Sequence, residues 1–166
     1  MREIPLSVYL HWPAPNYENP TTRGDALLAI NIVFITLVTL SIGVRLYSRM
    51  MVKHQSGIDD VMIVLAYIFT IGMTAVVLLA NRNFGWNRHM WDVEASMIQN
   101  ANIIAFTAKI MFTLASSFVR LSLIFLYYRL IRDTQIRWYS WALHINLAFN
   151  LIILIIFVLL TVFTCM

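Results

Sequence analysis

Charge is scarce in this chain. Asp, Glu, Lys and Arg make up only 12% of its 166 residues, where a soluble domain carries about 25%. Cysteine is nearly absent: Cys165 stands alone, which excludes an intrachain disulfide. A cleavable signal peptide is missing too, because the stretch 1–24 holds Glu3, His11, Glu18 and several prolines but no apolar core of the needed length. Asn19-Pro20-Thr21 fails as a glycosylation sequon because proline sits in its middle position. No low-complexity linker and no block of like charge interrupts the chain, so neither a separate soluble domain nor a nucleic-acid-binding tail is expected. No nucleophile–base pair, phosphate loop or metal-ligand set is visible. The sequence therefore predicts no enzyme and no cofactor.

What the chain has in abundance is hydrocarbon. Its composition is 60% hydrophobic, with a mean hydropathy of +0.75. Four apolar runs, roughly Ala26–Leu46, Ile58–Ala80, Asn102–Ile131 and Ser140–Phe163, reach the ~20 residues that cross a bilayer. The expected fold is an all-α, polytopic membrane bundle of four transmembrane helices. A tail fills residues 1–25, the membrane part residues 26–163, and residues 164–166 close the chain.

The third run carries two full charges, Lys109 and Arg120. Each costs roughly 2.5–3.5 kcal/mol at the bilayer centre. The thirteen Leu, Ile, Phe and Val residues of Asn102–Leu126 return roughly 4–8 kcal/mol on the insertion scale. Such a helix needs neighbours, or must let its charges escape to the two surfaces. Asn102, Lys109, Thr113, Ser116, Arg120 and Tyr127 are spaced 7, 4, 3, 4 and 7 apart, which places them on one helical face. The seam is expected to face protein or a wet cavity. Asn146 and Asn150 on the fourth run, with Lys109, read as positions for partners beyond these four helices, while Ile152–Leu160 reads as lipid-facing. In the first run Asn31, Thr36, Thr39, Ser41 and Gly43 suit helix contacts.

Arg45, Arg49 and Lys53 follow the first run; Arg129, Arg132 and Arg137 follow the third. The opposite side holds Arg2, Arg23, Arg82 and Arg88 among five acids. The positive-inside rule puts the two basic connections in the cytoplasm and both termini outside. Gly57 then Asp59-Asp60 opens the second run. These acids either cap the helix and complement its dipole or pair with Arg45, Arg49 or Arg129 at the same surface. A metal site there lacks a second acidic motif. On the other side, Gly85–Asp92 brings Arg88, His89 and Asp92 close in sequence, with Asp92 placed to orient the imidazole; Trp86 and Trp91 suit an interfacial belt.

Several of these segments match a known family in order. Asn19-Pro20 with Arg23-Gly24, Arg45-Leu46-Tyr47-Ser48-Arg49, Gly57-Ile58-Asp59-Asp60, Gly85 through Asp92, Arg120-Leu121-Ser122-Leu123 through Tyr128-Arg129-Leu130, and Phe163-Thr164-Cys165 resemble the motifs of the fungal rhodopsin-domain integral membrane proteins. That seven-helix group is related to fungal G-protein-coupled-receptor-like proteins and to a membrane protein of satratoxin biosynthesis clusters. Asn87 stands where the family's loop has its second glycine, and Arg120 replaces its usual lysine. The resemblance implies the first four helices of a receptor-like protein of the plasma membrane, with its N-terminus extracellular and a sensing or signalling role. It does not imply retinal, since Lys109 is not at a matching position. The implied partners are the bilayer, a G protein or a second copy, and an extracellular ligand. Arg88, His89, Asp92 and Lys109 become the candidate ligand contacts; Arg45, Arg49, Asp59, Asp60, Arg120 and Arg129 become the candidate switch residues. An oligomeric transporter or channel half, or an inactive truncated product, is the rival expectation.

Overall fold

A computed structural model describes residues 12–17, 19–22, 24–52, 57–131 and 137–163. Cys165, Lys53, Arg132, Arg2 and Arg23 lie outside the described residues, as does the side chain of Arg137. Four helices follow one another: α1 Ala26–Tyr47, α2 Ile58–Asn83, α3 Ala95–Ile131 and α4 Arg137–Phe163. A π-turn, Ser48–Val52, extends α1, and a short 3₁₀ turn, Met90–Asp92, precedes α3. All four are long and apolar enough to cross a membrane. Every proline lies within the first 20 residues, so none breaks an i→i−4 ladder in the spans.

The helices run alternately up and down. Arg45 near the end of α1 and Arg129 near the end of α3 both reach Asp59 in the first turn of α2. At the other end, Thr22 before α1 forms a β-bridge with Arg88 in the α2–α3 loop. The 37 residues of α3 span about 55 Å, well beyond the ~30 Å hydrocarbon layer. The helix starts seven residues before the apolar run, because Ser96, Gln99 and Asn100 are polar yet helical. Hydropathy marks where lipid ends, not where the helix does.

Packing relies on small side chains. The largest interface joins α2 to α3, the next α3 to α4, and the smallest α1 to α2. Ala66, Ala80 and Ala115 are buried, Gly72 faces Met111, and Phe69 stacks on Phe118 with centroids 5.5 Å apart. Small residues let helix backbones approach where lipid offers no hydrophobic drive. The polar residues of α1 mostly serve their own helix instead: Asn31, Thr36 and Thr39 donate to carbonyls one turn back. Only Thr39 among these also reaches across, meeting the Tyr67 hydroxyl at 2.7 Å. No residue of α1 is buried.

Asn150 departs from expectation. It is 2% exposed and donates to the Ser117 carbonyl of α3 at 3.4 Å, so it belongs to the α3–α4 contact and needs no further helix. Asn146 is exposed, as are Ile152, Ile155 and Phe157. The Asn150 bond is long and its Oδ1 has no partner among the described residues. Interhelical bonds of this kind average about 0.6 kcal/mol in membranes. Asn150→Leu is therefore expected to change stability in mixed micelles by no more than about 1 kcal/mol, measured by reversible unfolding.

Candidate functional site: an arginine fan on Asp59

Gly57 precedes α2 in an extended conformation and supplies its N-cap. Asp60, three residues on, accepts the Gly57 N–H at 3.2 Å. This is the acidic half of a capping box. Asp60 thus does what a first-turn acid usually does. Asp59, one position earlier, points a different way and is 2% exposed. Its Oδ2 lies 3.4 Å from Arg45 Nη2 and 3.5 Å from Arg49 Nη2. Its Oδ1 lies 3.9 Å from Arg129 Nη1. Arg45 and Arg49 reach one oxygen together because residues four apart share a helical face.

Three guanidiniums from two helices and a π-turn thus converge on one carboxylate. The contacts are a loose fan rather than a bidentate fork, since only Arg45–Asp59 falls within hydrogen-bond reach. Arg45 also approaches Asp60: its Nε stands 3.7 Å from Asp60 Oδ1, and both atoms are buried with no hydrogen-bond partner among the described residues. A carboxylate surrounded by three cations is a poor cation site, so the diacid is an ion-pair centre and not a metal seat.

Ser122 was overlooked by the charge-based reading. Its side chain is fully buried, and its hydroxyl donates to the Asp59 backbone carbonyl at 2.8 Å while accepting from Arg45 Nη2 at 3.4 Å. It ties α3 to both α2 and α1. The available signal was a small polar residue inside Arg120-Leu121-Ser122-Leu123, flanked by large apolar ones. Ser122→Ala strands the bonded groups, and a lost buried bond costs about 1–3 kcal/mol. A fall of that size in unfolding free energy is expected, against a near-silent Ser116→Ala control.

The remaining predicted positions are distributed differently. Arg120 and Lys109 are both exposed, as are Asn102 and Tyr127. Within the seam Thr113 and Ser116 are half-buried while the other four positions face outward from these four helices; the buried residues of α3 lie off the seam, Ala115 and Ser122 on one side of the helix and Ser117 and Ile124 on the other. Arg120 lies two residues from Ser122, level with the Asp59 cluster, and does not join it. Lys109 lies about 20 Å further along α3 at 1.5 Å per residue and is not gathered with the loop residues.

At the opposite end the loop is ordered by the tail. Gly85 adopts φ 70°, the left-handed region that glycine enters without penalty. Asp92 is buried, but its carboxylate accepts the Asn16 N–H at 3.0 Å. No hydrogen bond joins it to the His89 or Arg88 side chain among the described residues, so Asp92 does not orient the imidazole as expected. The His89 ring instead stacks on Trp91 at 4.6 Å, and Trp91 meets Trp12 at 6.1 Å.

A family model, the fungal rhodopsin domain, matches residues 44–166. That range includes Asp59 with Arg45, Arg49 and Arg129, the whole fan, and Ser122 beside it. The chain belongs to the fungal rhodopsin domain family. As a member with four membrane-crossing helices it is a multi-pass membrane protein. Comparison with characterised proteins and with solved structures finds no match.

Proposed function

We propose that this fungal rhodopsin domain chain acts as a receptor-like sensor of the plasma membrane, without enzymatic chemistry, and that the Asp59 fan is its switch. The observation carrying the proposal is Arg45. It pairs with Asp59 while its Nε faces an unpartnered Asp60 oxygen at 3.7 Å. A small shift of α1, the least packed helix, exchanges one carboxylate for the other. Such an element needs only a small differential energy to move between two arrangements. The loop charges favour placing this end in the cytoplasm, where a G protein would read it, and the Gly85–Asp92 loop on the extracellular, ligand side.

A pair of spin labels at Met50 and Leu130, both exposed, tests the switch in a Cys165→Ser background in liposomes. The native chain should give one dominant distance, and Asp60→Asn or Arg45→Gln should change the balance between two. A single unchanged distance in both variants would refute a two-state element. A second reading rests on the outward Lys109–Arg120 seam, which would line a pathway if copies associated. Ion flux across the same liposomes would favour it.

A further inference from the structure

Two grooves adjoin at the tail-and-loop end of the molecule. One, of about 390 Å³, is walled by Trp12, Pro13, Tyr17 and Trp91. The other, of about 260 Å³, is walled by Phe84, Trp86, Arg88 and Asn102. They share Met90, Val93 and Ile98. An apolar body with a few polar groups is the usual make-up of a small-molecule site, and about 300–1,000 Å³ its usual size.

The polar group here is a cation that has no ion pair among the described residues. Arg88 lines the inner groove, and its Nε is buried with no acceptor among the described residues. Asp92, the acid nearest in sequence, turns an oxygen to the Asn16 N–H and makes no ion pair with Arg88 among the described residues. A desolvated guanidinium nitrogen is costly unless something accepts from it, and a carboxylate does so in plane and with matched charge. The backbone of Arg88 is fixed by its bridge to Thr22, which holds the side chain at the groove wall.

The geometry points to a binding site for a small amphiphilic acid, its carboxylate on Arg88 and its apolar body between Trp91, Met90 and Tyr17. The occupant is a free acid and not a bilayer lipid. Asn102 lies about 30 Å along α3 from Ser122, one hydrocarbon thickness from the Asp59 end. The inner groove begins at that level with Asn102, and both grooves extend from there past the last turn of α2 and under the tail, where a lipid chain would have to leave the hydrocarbon. This inference rests on the sensing reading for its purpose. Its test reads occupancy alone, so an empty groove and a failed switch give different results.

The chain in phosphatidylcholine nanodiscs is exposed to decanoic acid bearing a terminal diazirine, to its methyl ester, and to the matching amine. After illumination the labelled peptides are mapped by mass spectrometry. The acid should label the segments 12–22 and 84–102 about ten-fold more than the ester or amine, the effect of one charge-assisted hydrogen bond. Arg88→Gln should reduce the acid to the ester's level, and Arg88→Lys, which retains the charge, should keep most of the preference. Equal labelling by all three probes would overturn the proposal. So would an acid preference that survives Arg88→Gln, or one lost equally in Arg88→Lys. Replacing a third of the lipid by phosphatidylglycerol should leave the acid's labelling unchanged. Suppression to the ester's level would overturn the free-acid assignment and give the groove to an anionic lipid.

Discussion

Asp59→Asn will destabilise the chain more than any other single charge removal. The substitution is nearly isosteric, so packing changes little and the loss is electrostatic. It leaves Arg45, Arg49 and Arg129 facing one another around a neutral amide, with side-chain exposures of only 25%, 19% and 33%. Breaking a buried pair costs about 3–5 kcal/mol because a charge is left uncompensated, whereas exposed pairs are worth about 0–1 kcal/mol. The arginines here are intermediate, and Asp59 itself is 3% exposed at the side chain, so a loss of about 2–3 kcal/mol follows from the two limits. Asp60→Asn should lose about 1 kcal/mol or less, since an amide oxygen can still accept the Gly57 N–H. The comparison is made by reversible unfolding in mixed micelles. Equal effects at Asp59 and Asp60 would mean that the acids act only through the helix dipole, which the two share.

The contrast between the two aspartates also marks how far sequence could reach. That both acids open a helix was legible from Gly57 and from the apolar run that follows. That Arg45, Arg49 and Arg129 lie at the same surface followed from span ends alone. Which acid caps and which pairs was not legible, because neighbouring residues on a helix point about 100° apart and only the packed backbone fixes which one meets the arginines. The same limit explains the seam. Its spacing marks a face, yet the buried residues of α3 lie off it in two lines, Ala115 and Ser122 toward α2, Ser117 and Ile124 toward α4. Those residues carry no charge and so gave no pattern to read. Asp92 escaped for a different reason. Its partner, Asn16, is 76 residues away and bonds through its backbone, which every residue type offers equally. His89 and Asp92 are close in sequence, but an intervening Trp91 takes the imidazole by stacking.

Four spans were legible because hydrocarbon thickness is a single length that composition must meet. The tightness of α2 against α3 was less so, since alanine and glycine contribute little to hydropathy but decide how near two helices come. In this protein the deepest contacts are made by the smallest residues, and the polar bonds at Ser122 and Asn150 are set among them. The charged positions that stand out in the sequence divide into two sets. One converges on Asp59; the other, Lys109 and Arg120, stays on the outward face. A cluster held by long, angled ion pairs tolerates rearrangement better than a bidentate one, and it is the former that occurs at the end of the loosest helix.

Gly57→Ala should reproduce most of the Asp59→Asn defect without altering a charge. Gly57 has φ −143°, so backbone freedom is not what glycine provides here. Space is the reason. A Cβ at this position would stand 2.5 Å from Asp59 Oδ1 and 3.3 Å from Arg129 Nη1, and the first of these is far inside any tolerable contact. Asp59 has a short side chain held by three arginines, so relief requires rotating the carboxylate out of the fan or shifting the start of α2. Either outcome separates Asp59 from Arg129. The expected loss is about 2 kcal/mol, set by the lost ion pairs of Asp59 and offset by no more than about 1 kcal/mol from the reduced freedom of the unfolded chain. The decisive experiment is a cycle with Arg129→Gln. If steric expulsion of the carboxylate is the cause, the two substitutions together should cost clearly less than their sum, because each removes the same contact. Strict additivity would show that Gly57 serves the chain's path into α2 and not the space around Asp59.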